Sequence, residues 1–422
     1  MTARKGLRKA AAGAAAAFLL MGRPECVYTA VLTESRQEAG METGNAQQEA
    51  YTGEGEDSGT EQELASDTSE EIQKELTAEL DFSGVQNMLD EMLGEESFSF
   101  QEAFENLLKG ENGISEEAVQ EFLRGLFFSG FEQERALFMK LLLLILLAAV
   151  LANFASVFDH GQIGEISFYL VYLLLFMLLM DSFSEISLSL QKVISWMTEF
   201  MKTLAPAYFI TVSASSGAAS GAVFYEGVLL LVWLIQWVLL TVILPGTNLY
   251  VLLRLVNHLS REEMLGKMTE LLSTAISWGL KSMLGIVAGL QIVRGLISPV
   301  VDSLKRSFIG KAAGALPGVG NAVNMVTELV VTSAVLVRNC LGVMILVAFV
   351  LAGAGPVVHY GLLSLVYRFL AAVAQPVSDK RIVECLSTMG EGYGLLLKIL
   401  FTAEVLCMLT FLILMASLGG RS

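Results

Sequence analysis

The chain has 422 residues, of which 54% are hydrophobic, and it carries a formal net charge of −16. One globular core would not use that much apolar sequence, so most of the length is assigned to lipid and not to soluble domains. No basic aromatic surface points to nucleic acid, and no nucleophile, base and orienting group assemble into an enzyme site. The charge is unevenly placed: residues 25–135 hold 28 acidic and 5 basic side chains, whereas residues 136–422 hold 15 acidic and 17 basic. Water is implied for the first stretch and a bilayer for the second.

Taken in chain order, residues 1–30 read as a signal peptide or an uncleaved anchor. Arg4, Lys5, Arg8 and Lys9 precede an apolar run from Ala10 to Gly22 that is too short to span unaided, and Tyr28 fits the small-residue cleavage pattern before Ala30 poorly. Residues 31–70 are rich in Glu, Gln, Gly, Ser and Thr; too little surface can be buried there to offset chain entropy, and a disordered acidic linker is predicted. Residues 71–135 form a small exported helical domain. Ser99 and Glu102 have capping-box spacing ahead of a stripe of Phe100, Phe104, Leu107 and Leu108, and a second helix starts at Ser115 with Val119, Phe122, Leu123, Leu126 and Phe127 on its apolar face. The stripes either bury one another or form a docking face for a partner.

The fold class is all-α, a polytopic helical membrane protein over residues 136–422. Spans of about 20 residues are needed to cross lipid. About eight apolar segments qualify, at 137–157, 166–183, 204–224, 228–250, 271–298, 329–353, 357–377 and 393–418. Prolines at 206, 245, 299, 317, 356 and 376 fall mostly near segment ends, where a helix can stop at little cost. Lys305, Arg306 and Lys311 sit in one connection and Lys380 with Arg381 in another; two expected spans separate them, which places both loops in the cytoplasm. Counting back five spans puts the acidic domain outside. Eight spans leave the C-terminus outside as well.

Three patterns are candidates for function. Thr211 to Ala222 reads TVSASSGAASGA, with Ser213, Gly217 and Gly221 at four-residue spacing, and Gly285 with Gly289 gives a second small-residue face next to Lys281. Such faces either let helices approach closely or line a water-accessible path. Lys281, Arg338 and Glu404 are charges at membrane depth, each costing about 2.5–3.5 kcal/mol at a helix centre. They form a structural pair with Glu404 or they mark a pathway. The FIGKAAGALPGVGN run at Phe308 to Asn321 resembles a phosphate loop only superficially, because no Gly-Lys-Ser/Thr ends it. The cysteines Cys26, Cys340, Cys385 and Cys407 include no C-x-x-C pair, and His160, His258 and His359 form no ligand pair, so no disulfide framework, metal or cofactor is expected.

The SSGAASGAVF run at Ser215 to Phe224, FIGKAAGALPGVG at Phe308 to Gly320 and AQPVSDKRIVECL at Ala374 to Leu386, behind an exported acidic N-terminus, together resemble the stage III sporulation protein AE family of endospore-forming bacteria. The resemblance covers roughly residues 75 to 418. Family members tend to follow the small-residue run with an aromatic and a proline; here Phe224 leads to Tyr225 and Glu226. The resemblance implies a multi-pass protein of the mother-cell membrane surrounding the forespore, with its N-terminal domain in the intermembrane space. It also implies membership of a channel complex with the other stage III A-operon proteins and forespore protein Q, without catalytic residues. A self-sufficient small-solute permease is the alternative, motivated by the small-residue helix and the buried charges.

Overall fold

The computed structural model describes residues 72–93 apart from 76 and 79, 99–109, scattered positions between 138 and 150, 161–216, 218–259, 264–313, 320–376 and 378–419. The signal segment, the linker, the helix expected from Ser115 and most of the segment at 137–157 lie outside the described residues. Every regular element among the described residues is a helix.

Two short helices come first, α1 (Ser83–Leu93) and α2 (Phe100–Leu108). Asp81 Oδ1 accepts the Ser83 N–H at 2.9 Å, and hydrogen bonding from Ser83, side chain and then backbone, holds the Asp81 carboxyl below its usual range. Ser99 caps α2 as its spacing predicts, its hydroxyl accepting the Glu102 N–H at 3.3 Å. Helices of 11 and 9 residues are too short to enclose a core of their own. Their stripes are therefore buried against the long helices. Val85, Leu89, Phe100 and Phe104 share one core with Trp196, Phe200 and Phe349, and Trp196 Nε1 donates to the Met88 carbonyl at 3.0 Å. The Phe100 and Phe104 stripe is thus covered within the chain. Each fully buried phenylalanine contributes about 1.5–3 kcal/mol.

The remaining helices are long: α3 (Gly161–Ser216), α4 (Ala218–Val238), a π turn at Leu239–Ile243, α5 (Leu244–Leu259), α6 (Gly266–Ala313), α7 (Gly320–Ala374) and α8 (Lys380–Gly419). Among the described residues, five stretches are long and apolar enough to cross a membrane, namely Tyr172–Ser213, Leu229–His258, Gly266–Gly289, Leu329–Ala374 and Lys380–Leu412. The expected segmentation differs from this in two places. The segments at 329–353 and 357–377 are one helix, because Pro356 removes a single backbone donor without ending α7. The segment at 204–224 is divided: α3 runs through Pro206 to Ser216 and α4 folds back along it, so the small-residue run marks the tip of a helical hairpin. Gln236 Nε2 lies 3.5 Å from Ser195 Oγ across that hairpin.

One helix, α7, stands where two crossings were expected between the basic residues around Lys305 and those at Lys380.

Aromatic and hydroxyl contacts set the register of the bundle. α8 runs parallel to α3, with Tyr393 against Phe183 at 5.5 Å and Phe411 against Tyr208 at 5.0 Å between ring centroids. α7 runs antiparallel to α3, placing Phe349 against Phe200 and the Tyr360 hydroxyl 3.4 Å from the Ile186 carbonyl. α5 is antiparallel to both α3 and α6: Ser187 Oγ donates to Asn248 Oδ1 at 2.8 Å, and Gly246 faces Ile276. The π turn has a local cause. Pro245 cannot donate to the carbonyl four residues back, and the Leu244 N–H reaches the Leu239 carbonyl instead, widening the turn.

Candidate functional site

Where α5 ends, α6 begins and α8 begins, polar side chains from three helices converge around a cavity of about 410 Å³. Tyr250, Arg254 and His258 recur every four residues on one face of α5, and Glu384, Thr388 and Glu391 recur at four and three on α8. Each helix thereby presents a polar seam to the other. Arg254 Nη1 lies 3.1 Å from Glu391 Oε2 and donates to the Tyr250 hydroxyl at 2.7 Å, while that hydroxyl donates to Glu391 at 3.0 Å. The three groups close a triangle.

One turn further along, His258 Nδ1 lies 3.1 Å from Glu384 Oε2 and Nε2 lies 3.1 Å from Thr388 Oγ1. The Thr388 hydroxyl commits its proton to the Glu384 backbone carbonyl at 2.8 Å, so its oxygen is left to accept. Both ring nitrogens of His258 thus face α8. Lys380 Nζ adds a 3.5 Å contact to the same Glu384 carboxylate. Across the cavity α6 contributes Thr269, Glu270, Ser273 and Thr274. Arg254 and Glu391 are about a third exposed, so water screens them and the pair is worth about 0–1 kcal/mol. Its effect is to fix the register of α5 against α8.

Close approach of the helices here depends on glycines. A Cβ at Gly390 would meet the Arg368 backbone nitrogen and the Ser364 carbonyl oxygen at 3.2 Å each; at Gly392 it would meet Val251 Cγ2 at 2.7 Å and Phe183 Cε2 at 3.0 Å. Gly394 faces Ser364 Oγ at 3.2 Å. The EGYG stretch is thus the narrow waist of α8, where α3, α5 and α7 come nearest. Neither this seam nor these glycines stand out in the sequence alone. The four-residue recurrence of Tyr250, Arg254 and His258 is the signal that points to the seam.

The residues singled out from sequence are scattered by comparison. Ser213 is half-buried at the end of α3, Gly217 lies outside the described residues, and Gly221 falls in α4 where side-chain surroundings are not described. Among the described residues, Gly285 and Gly289 have no atom within 4 Å of the place a Cβ would take, so the face they make with exposed Lys281 packs on no described helix. Arg338 is 1% exposed, within electrostatic reach of Tyr208 on α3. Glu404 is 8% exposed, its carboxylate lying over Gly353 of α7. Arg338 precedes Gly353 by about four helical turns, roughly 22 Å along the axis, so Arg338 and Glu404 do not meet. Glu404 joins none of the ion pairs among the described residues, and the expected pairing with Lys281 is not formed.

The chain is 22% identical over 331 residues to the stage III sporulation protein AE of Bacillus subtilis (strain 168), covering 77% of this chain and 83% of that protein. No solved structure matches it. The sequence model described as stage III sporulation protein AE matches residues 98–418, which includes every long helix described above, and the chain belongs to that family.

Proposed function

We propose that this protein is a non-catalytic membrane component of the complex joining mother cell and forespore, required for forespore development. It acts with the other stage III A-operon proteins and forespore protein Q in the mother-cell membrane that surrounds the forespore. The observation that carries this reading is family membership across residues 98–418 combined with five helices able to cross a bilayer. We assign the end of the bundle that carries Lys267, Lys380 and Arg381 to the cytoplasm, and α1 with α2 covers Trp196 and Phe200 farther from it. The α1 and α2 side then faces the intermembrane space.

Purification of the full chain from sporulating cells tests the assignment. The expected result is co-purification with the neighbouring A-operon proteins and no solute uptake by the protein alone in liposomes. Uptake by the isolated protein, with no partners recovered, would instead establish the permease. Orientation is read separately in intact cells: a Cys at Gln101 should react with an impermeant thiol reagent, whereas one at Gln375 should not.

A further inference from the structure

Each ionic group that borders the cavity between α5, α6 and α8 already has its counter-charge. Arg254 lies 3.1 Å from Glu391, and Glu270 lies 2.9 Å from Lys267. Glu384 lies 3.5 Å from Lys380, with His258 at 3.1 Å from its other oxygen. A ligand of net charge would enter as an extra, unmatched ion, which a partly enclosed site disfavours.

What the ion pairs leave over is neutral. Asn257 lines the cavity and is only 7% exposed. Its Oδ1 accepts the Leu265 N–H at 2.9 Å, which fixes the orientation of the amide. Both Nδ2 hydrogens are then without a partner among the described residues. Buried Thr269 donates to the Gly266 carbonyl at 2.8 Å, so its oxygen is left to accept. Ser273 on α6 and Ser387 on α8 add hydroxyls that have no partner among the described residues. Three helices thus bring neutral donors and acceptors to one space. Leaving buried amide donors unmet costs about 1–3 kcal/mol, so the cavity calls for an occupant that accepts from Asn257.

We propose that this cavity binds a small uncharged polyhydroxy molecule, a sugar or a polyol. A hydroxyl both donates and accepts, so a ring or chain carrying several can receive the Asn257 hydrogens and donate to Thr269 Oγ1. Others can donate to the lone pairs that Lys380 and His258 leave on Glu384. Such a ligand brings no net charge, and the ion pairs around it stay as they are. The volume of about 410 Å³ falls within the range of small-molecule sites, about 300–1,000 Å³. The proposal goes beyond the sporulation assignment and rests on the cavity alone, so either can fail without the other.

Equilibrium dialysis of the full chain, purified in a detergent without sugar head groups, tests it. The probes are radiolabelled glucose, mannitol and myo-inositol at millimolar concentrations, with inorganic phosphate, glutamate and spermidine as charged counterparts. At least one of the three uncharged probes should bind saturably, and the charged ones should not compete with it. Asn257→Asp keeps an oxygen for the Leu265 N–H and removes the two donors, and should weaken binding at least about tenfold. Ser387→Ala should weaken it about threefold. Both variants are scored at an unchanged midpoint of thermal unfolding. Should Asn257→Asp lower that midpoint, Ser387→Ala, whose hydroxyl has no partner among the described residues, decides in its place. No saturable binding of any uncharged probe means that the cavity holds water only, and overturns the proposal. Binding that both variants leave intact lies elsewhere on the protein and also overturns it. Stronger binding of a charged probe overturns the uncharged class.

Discussion

α8 and α6 are both long, apolar helices, yet 61% of the most apolar window of α8 is buried within the chain against 17% for α6. Their glycines show the same contrast. Gly390, Gly392 and Gly394 on α8 are pressed against backbone and side chains of α3, α5 and α7, whereas Gly285 and Gly289 on α6 look onto open space. A G-x-x-x-G spacing is therefore no guide to packing by itself. What decides is whether another helix arrives at that depth, and α8 is the axis on which the others arrive.

The contrast breaks most visibly at Gly390. Replacing it by Leu sets side-chain atoms against the Arg368 and Ser364 backbone, which cannot rotate away, and should separate α7 from α8 at a cost of about 3 kcal/mol or more. Loss of the protein from membranes, measured by immunoblot, is the expected outcome. Gly392→Ala is milder because its neighbours, Val251 and Phe183, are side chains that can shift. About 1–2 kcal/mol is expected, read as a lowered midpoint of thermal unfolding in detergent. Equal effects at the two positions would erase the distinction between backbone and side-chain contact.

Gly285→Ala sharpens the other half of the comparison. With nothing within 4 Å, the added methyl meets no obstacle and restricts the unfolded chain, so stability should stay level or rise by up to about 1 kcal/mol. A clear loss in the same assay would mean that α6 has a partner on that face. The smallest effect is expected at Asp81, whose carboxyl is held below its usual range by Ser83. A folded value below the unfolded one gives stabilisation that is present above the ordinary carboxylate range, about pH 4, and is lost as pH falls through the depressed value. Hydrogen exchange along α1 should accelerate on acidification in the parent, and Asp81→Ala should remove that dependence.

How much of this was legible varies with the range of the interaction. The Ser99 cap and the Phe100 and Phe104 stripe are local, and both are found as the sequence predicts. Helical character and membrane residence follow from composition and appear in the five apolar helices. The span count did not follow, since a proline such as Pro356 can either end a helix or be carried inside one, and tertiary packing makes that choice. The seam of Arg254 with Glu391 and His258 with Glu384 joins residues more than a hundred positions apart, and each helix shows only half of it. Glu404 stood out because a carboxylate in an apolar run is rare, but its neighbour is Gly353, a residue with no charge to betray the contact.

The docking of α1 and α2 has a consequence for biosynthesis. Phe100 and Phe104 leave the ribosome more than two hundred residues before Phe349, the α7 side chain in the core they join. Until α7 has been inserted, their apolar stripe has only part of its final cover. A nascent or truncated chain that stops short of α7 therefore displays an unfinished hydrophobic surface, the kind of signal by which membrane quality control distinguishes incomplete proteins from finished ones.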